Sequence, residues 1–160
     1  MDPRELETLL KQLTESQSEL SDLLTSVAGL QDWRPEPEEW SFRFLAAHLA
    51  TAERECFQDR VQRIAEGNYP SFAYYLNTGR DFSDLDLRKS LMAWHETRQA
   101  IFRFVRRLPE TAWLQTGKHI TSGTITIRDV LISMLEHDQE HLEALQPQVG
   151  KYYESLNPDG

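Results

Sequence analysis

Apolar residues recur at steps of three and four in four separate stretches of the chain, the period of an amphipathic helix. In the first, Leu6, Leu10, Leu13, Gln17, Leu20, Leu24 and Val27 form one stripe, interrupted by Gln17. Asp2 precedes it as an N-cap, Pro3 takes the first helical position, and Gly29 marks its end. The second stripe is Leu45, Leu49, Ala52, Cys56, Val61 and Ile64, with Phe57 alongside; Ser41 caps it and Gly67 follows it. The third is Leu87, Leu91, Trp94, Arg98, Ile101, Val105 and Leu108. Ser83 and Asp86 have the spacing of a capping box at its start, and Pro109 ends it. The fourth is Val130, Met134, His137, His141 and Leu145, flanked by Leu131, Leu135 and Leu142. Thr126 and Asp129 make a second capping box, and Pro147 is expected to stop the helix.

Four such stripes bury one another best as a four-helix bundle, so the predicted fold class is all-α. Two connections are long. Residues 67–83 carry Tyr69, Phe72, Tyr74, Tyr75 and Phe82, and residues 109–125 include Thr121–Thr124, which reads as a turn or short hairpin. Long connections in a small domain are usually functional or cross the bundle. A single bundle domain is expected over 1–147, with a loosely ordered polar tail at 148–160.

The informative residues are polar ones inside apolar seams: Gln17, His48, Arg98, His137 and His141. An unpartnered buried polar group costs about 1–3 kcal/mol. Either each finds its own carbonyl or carboxylate, or the histidines share a ligand. His137 and His141 are four apart on one helix, so their side chains lie on one face and both can reach one metal ion. The pair lacks the glutamate that directly follows the first histidine in zinc proteases, so protease chemistry is not indicated.

Helix rise tests whether His48 can join them. At about 1.5 Å per residue, His48 lies roughly 10 Å into its helix, and the 137/141 pair roughly 20 Å into a helix of about 30 Å. These depths coincide when helices 2 and 4 run antiparallel. Helix 3 must then run parallel to helix 2, and residues 67–83 must cross the bundle. At about 3.3–3.6 Å per residue they are long enough. The three-histidine reading therefore predicts up-down-down-up order, with long 2–3 and 3–4 connections. Gln17 falls near the same level and Arg98 about 10 Å away along the axis.

Composition narrows the partners. The chain has 17 Lys plus Arg against 26 Asp plus Glu, a net charge of −9, and no basic run. Nucleic acid and anionic membranes are therefore not expected as partners. No apolar run of about 18 residues is present to span a bilayer. The lone cysteine, Cys56, excludes an internal disulfide and suits a reducing compartment. The segment Met1–Glu5 does not open a signal peptide, so a cytoplasmic location is expected.

Several motifs stand in a recognisable order: Trp40-Ser41, then His48-Leu49 and Glu53, then Arg98 with Leu108, Pro109 and Trp113. Gly123–Leu131 and His137-Asp138-Gln139-Glu140-His141-Leu142 follow. In these motifs, over about residues 5–146, the chain resembles the DinB-like family of metal-binding four-helix bundles, which includes bacillithiol and mycothiol transferases. The resemblance implies a triad of His48, His137 and His141, and the up-down-down-up order. It also implies transfer of a low-molecular-weight thiol to an electrophile, or a related isomerisation, and homodimers.

Three imidazoles leave positions open on a divalent ion such as Zn, Ni or Fe, and imidazole does not choose among them. A non-catalytic metal-binding or stress-response bundle, and a plain interaction module, remain open alternatives. Gln17, Tyr74, Tyr75 and Arg98 are candidates for the substrate pocket. Against this, the tyrosines could be ordinary loop packing, and Arg98 a seam arginine paired to Glu53, Glu55 or Glu96. His95 reads as a surface histidine, His119 as part of a connection, Asp138 and Glu140 as solvated, and Cys56 as a core thiol.

Overall fold

The computed structural model describes residues 1–77 and 79–157. Four long helices account for most of them. Helix α1 spans Pro3–Ser26, with Asp2 capping and Pro3 in the first turn, as the sequence predicts. Helix α2 is continuous but not uniform: α-helical over Phe42–Ala52, π-helical over Glu53–Gln58, then α-helical again over Asp59–Ala65. Helix α3 spans Leu87–Arg106 and α4 spans Ile127–Leu156.

Side-chain pairs fix the helix directions. Glu5 meets Arg128 and Ser16 meets Asp138, while the Tyr153 hydroxyl donates to the Ser26 carbonyl, so α1 and α4 run parallel. Arg106 pairs with Glu7 and Arg98 reaches the Leu13 carbonyl, so α3 opposes α1. Arg43 donates to the Leu85 carbonyl and Arg98 binds Glu53, so α2 and α3 run together. The order is up-down-down-up, as the depth of the histidines required.

The crossover between α2 and α3 lies along α2 as a strap. Arg60 donates to the Ala73 carbonyl, Tyr75 and Arg80 bind Glu55, Asn77 meets His48, and Phe82 packs on Phe44. A three-stranded sheet ties the two long connections together: β1 (Ser71–Phe72), β2 (Thr116–His119) and β3 (Gly123–Thr126). Strands β2 and β3 form the hairpin suggested by the 121–124 turn; β1 adds to β2 in parallel. Gly117 permits that addition, since a Cβ there would stand 2.7 Å from the Phe72 ring and 3.1 Å from the Pro70 carbonyl oxygen.

Three expectations are corrected. Helix α3 begins after Asp86, not Ser83: the Asp86 carboxylate accepts from the Lys89 N–H, and Gln31 accepts from the Leu87 N–H. Pro147 does not stop α4, so the expected tail at 148–160 is helical as far as Leu156; residues 158–160 lie outside the described residues. Proline forfeits one backbone bond there, but the helix beyond it is anchored. Val149 and Tyr152 are buried, and Tyr152 packs edge-on against Trp33 and Phe42. Asp138 is not solvated but fully buried. It belongs to a stripe through Ile127, Leu131, Met134, Asp138, Leu145, Val149 and Tyr152, set by helical phase rather than by proximity to the histidines.

Candidate metal centre

His48 stands on the first α-helical part of α2, and His137 and His141 one turn apart on α4. Antiparallel packing brings them to one level. His137 Nε2 lies 3.2 Å from His48 Nε2 and 3.1 Å from His141 Nε2. Taken as one nitrogen each, the three ligand atoms lie within 4.8 Å of one another. A Zn–N bond of about 2.0–2.1 Å, with N–metal–N angles of about 90–109°, would separate two ligand nitrogens by about 2.9–3.4 Å. The two Nε2–Nε2 separations fall inside that range.

The protonation states suit such a role. Burial pushes the His137 imidazole down to about 3, with His141, His48 and Arg98 adding to the effect. Burial and His48 push His141 down to about 4. His48 is lowered by burial and partly restored by its bond to Asn77. All three are neutral near pH 7, the form that ligates metals.

Trp40 leans over the cluster. Its ring is 4.8 Å from that of His48 and lies nearly parallel to His141 at 6.0 Å, while Phe57 packs edge-on to His137. Trp40 also packs on Phe44, which continues to Phe82, so an aromatic wall borders the histidines.

Among the described residues, none of the other candidates makes a hydrogen bond or ring contact to the three histidines. Arg98 is fully buried, and its five hydrogen bonds go to Glu53, Asp138 and the Leu13 carbonyl, none to a histidine. Tyr75 donates to Glu55 at 2.7 Å; burial and then that carboxylate push the phenol up to about 12. Tyr74 is 65 % exposed and sits edge-on to His119. Gln17 is buried on α1, its Nε2 without a partner among the described residues. His119 is buried in β2, where its Nδ1 accepts from the Thr121 and Ser122 N–H groups, and His95 is exposed. Burial pushes the Cys56 thiol up to about 11, as befits a core residue.

Two buried residues escaped the sequence reading: Asp138, expected to be solvated, and Asn77, which was not singled out. Asp138 could have been found by extending the heptad stripe of α4. Asn77 had no such signal, since it lies in a connection without periodicity.

A four-helix bundle in this order, with three histidines gathered from its second and fourth helices, defines a class. The chain belongs to the DinB superfamily, whose sequence model matches residues 12–145. Its structure is similar to that of YfiT from Bacillus subtilis, described as a probable metal-dependent hydrolase with an unusual four-helix bundle topology. The TM-score is 0.78 at 17% identity, covering 96% of this chain and 90% of YfiT. No curated protein sequence matches the chain. Among the described residues no helix is long and apolar enough to cross a membrane.

Proposed function

We propose that His48, His137 and His141 hold one divalent ion, Zn, Ni or Fe, and that the protein uses it to transfer a low-molecular-weight thiol to an electrophile. The observation that supports this reading is the convergence of three neutral Nε2 atoms at coordination spacing. When bound, such an ion supplies Lewis acidity that favours the thiolate form of a thiol ligand. The chain's own residues do the rest. The three imidazoles supply ligands from one side and leave positions open for substrate. Trp40 offers a flat apolar surface beside those positions. Arg98, spent on Glu53 and Asp138, is left out of substrate binding in this reading. Cytoplasmic location and a homodimer belong to the same proposal.

Hydrolysis is the second reading, favoured by the description of YfiT. The same open positions would then serve water, and no thiol would be needed.

Metal analysis of protein purified without a histidine tag comes first, with about one ion per chain expected. Finding none would leave an interaction module. Turnover of a chromogenic electrophile is then measured with and without a panel of thiols, using metal-stripped protein as control. Metal-dependent, thiol-dependent turnover supports the transferase, and metal-dependent turnover without thiol supports hydrolysis. Bound metal with neither activity would leave a binder. Size-exclusion chromatography and cell fractionation test the dimer and the location.

A further inference from the structure

The strap between α2 and α3 touches the histidine cluster through Asn77. This side chain is 3 % exposed, and its Oδ1 lies 2.9 Å from His48 Nδ1. A carbonyl oxygen accepts and cannot donate. His48 must therefore carry its proton on Nδ1, which leaves a lone pair on Nε2, the atom that faces His137 and His141. The opposite amide orientation would force the proton onto Nε2, between the ligand nitrogens. The Asn77 Nδ2 is buried and has no partner among the described residues.

Asn77 is itself held from both sides. Before it, Tyr75 donates to Glu55, and Arg60 donates to the Ala73 carbonyl. After it, Arg80 pairs with Glu55, and the Arg80 N–H reaches the Asn77 carbonyl. Glu55 lies in the π-helical stretch of α2, two residues from the inward-facing Glu53. That stretch therefore holds the strap on one side and Arg98 on the other.

The geometry points to Asn77 as a positioning residue: it selects the His48 tautomer that presents Nε2 to a metal, and the Glu55 clamp on the strap keeps it in place. This rests on reading the three histidines as metal ligands. Residues that orient a ligating histidine in this way typically change metal affinity 10–100-fold when removed.

Two measurements test it. Nitrogen-15 NMR of the zinc-free protein reads the tautomer of His48, and titration with zinc against a competing chelator reads affinity. In the natural sequence, His48 should be protonated on Nδ1. In Asn77→Ala it should shift toward Nε2–H, with zinc affinity down about 10–100-fold. Asn77→Asp, which keeps an acceptor, should restore both. Glu55→Ala, at a half-buried position, should loosen the strap and weaken zinc binding by less than Asn77→Ala does. An Nε2–H tautomer in the natural sequence, or an unchanged tautomer in Asn77→Ala, overturns the proposal. Should Asn77→Ala not fold, an unchanged zinc affinity in Glu55→Ala overturns it. If none of zinc, nickel and iron binds but the tautomer depends on Asn77 as stated, the metal reading fails, and the positioning role with it, while the Asn77–His48 bond stands as a structural contact.

Discussion

Two polar clusters lie inside one bundle and are built on opposite terms. The first is Glu53–Arg98–Asp138. Arg98 uses five N–H bonds, two to Glu53, two to Asp138 and one to the Leu13 carbonyl. Trp94 Nε1 donates to Glu53 and the Ser16 hydroxyl to Asp138. Burial pushes the Glu53 carboxyl up, and the Arg98 guanidinium at 2.7 Å pulls it back. Every group has a partner within the chain. The second cluster is the histidine triad, whose Nε2 atoms stand close together, His137 Nε2 within 3.2 Å of the other two. The difference teaches how a buried polar group is to be read: a saturated network holds structure, while convergent lone pairs leave room for a ligand.

The largest effect should come from breaking the saturated cluster. Arg98→Met leaves two buried carboxylates without their cation, and loss of one partner of a buried pair typically costs about 3–5 kcal/mol. Urea denaturation of the zinc-free protein checks this. A cost under about 1 kcal/mol would mean the network does not hold the helices together. The triad should behave in the opposite way. Zinc at roughly a hundredfold above its Kd should stabilise the protein by about 2.7 kcal/mol. His137→Ala should abolish that gain and cost the zinc-free protein less than Arg98→Met does, since it strands no buried charge. A His137→Ala variant that still gains stability from zinc would end the comparison.

Acid should separate the clusters next. The folded pKa values of His137 and His141 are lowered to about 3 and about 4, below the ordinary 6.5. Below pH 6.5 the unfolded chain therefore binds more protons than the folded one. Stability from these groups is fully present above pH 6.5 and is lost as pH falls toward 4 and then 3. At pH 5.5 the two histidines together should have cost the zinc-free protein about 2–3 kcal/mol, at roughly 1.4 kcal/mol each. Denaturation midpoints across pH 7.5 to 4.5 measure it. The slope should be smaller in His137→Ala, and an equal slope would remove the triad as its source.

The contrast between the clusters was half legible in the sequence. The triad was readable because helical spacing and rise bring His48, His137 and His141 to one level, and the same arithmetic gave the direction of every helix. Arg98 was readable as a seam arginine, and Glu53 as one of its carboxylates. Asp138 was missed because its sequence neighbours suggested a solvated face, whereas the stripe through Met134 and Leu145 turns it inward. The π-helical stretch left a trace, the five-residue step from Cys56 to Val61, which exceeds the α-helical three or four. Asn77 left none. Its position follows from the path of the strap, and that path depends on contacts between residues distant in sequence.

The smallest effect concerns the two tryptophans that report on the clusters. Trp94 is buried and donates to Glu53; Trp40 is 38 % exposed and leans on His48 and His141. Trp40→Phe keeps an aromatic ring at a partly exposed position and breaks no hydrogen bond among the described residues. Its cost should stay within about 1 kcal/mol, and zinc should still bind. What it should remove is the fluorescence change on zinc addition, because an ion at the three Nε2 atoms alters the surroundings of Trp40 and leaves the Trp94–Glu53 bond intact. Trp94→Phe should retain the zinc response while losing stability, since it leaves Glu53 one donor short. A zinc response that survives Trp40→Phe and disappears in Trp94→Phe would show that metal binding is felt through the charged network, and the two clusters would then have to be treated as one.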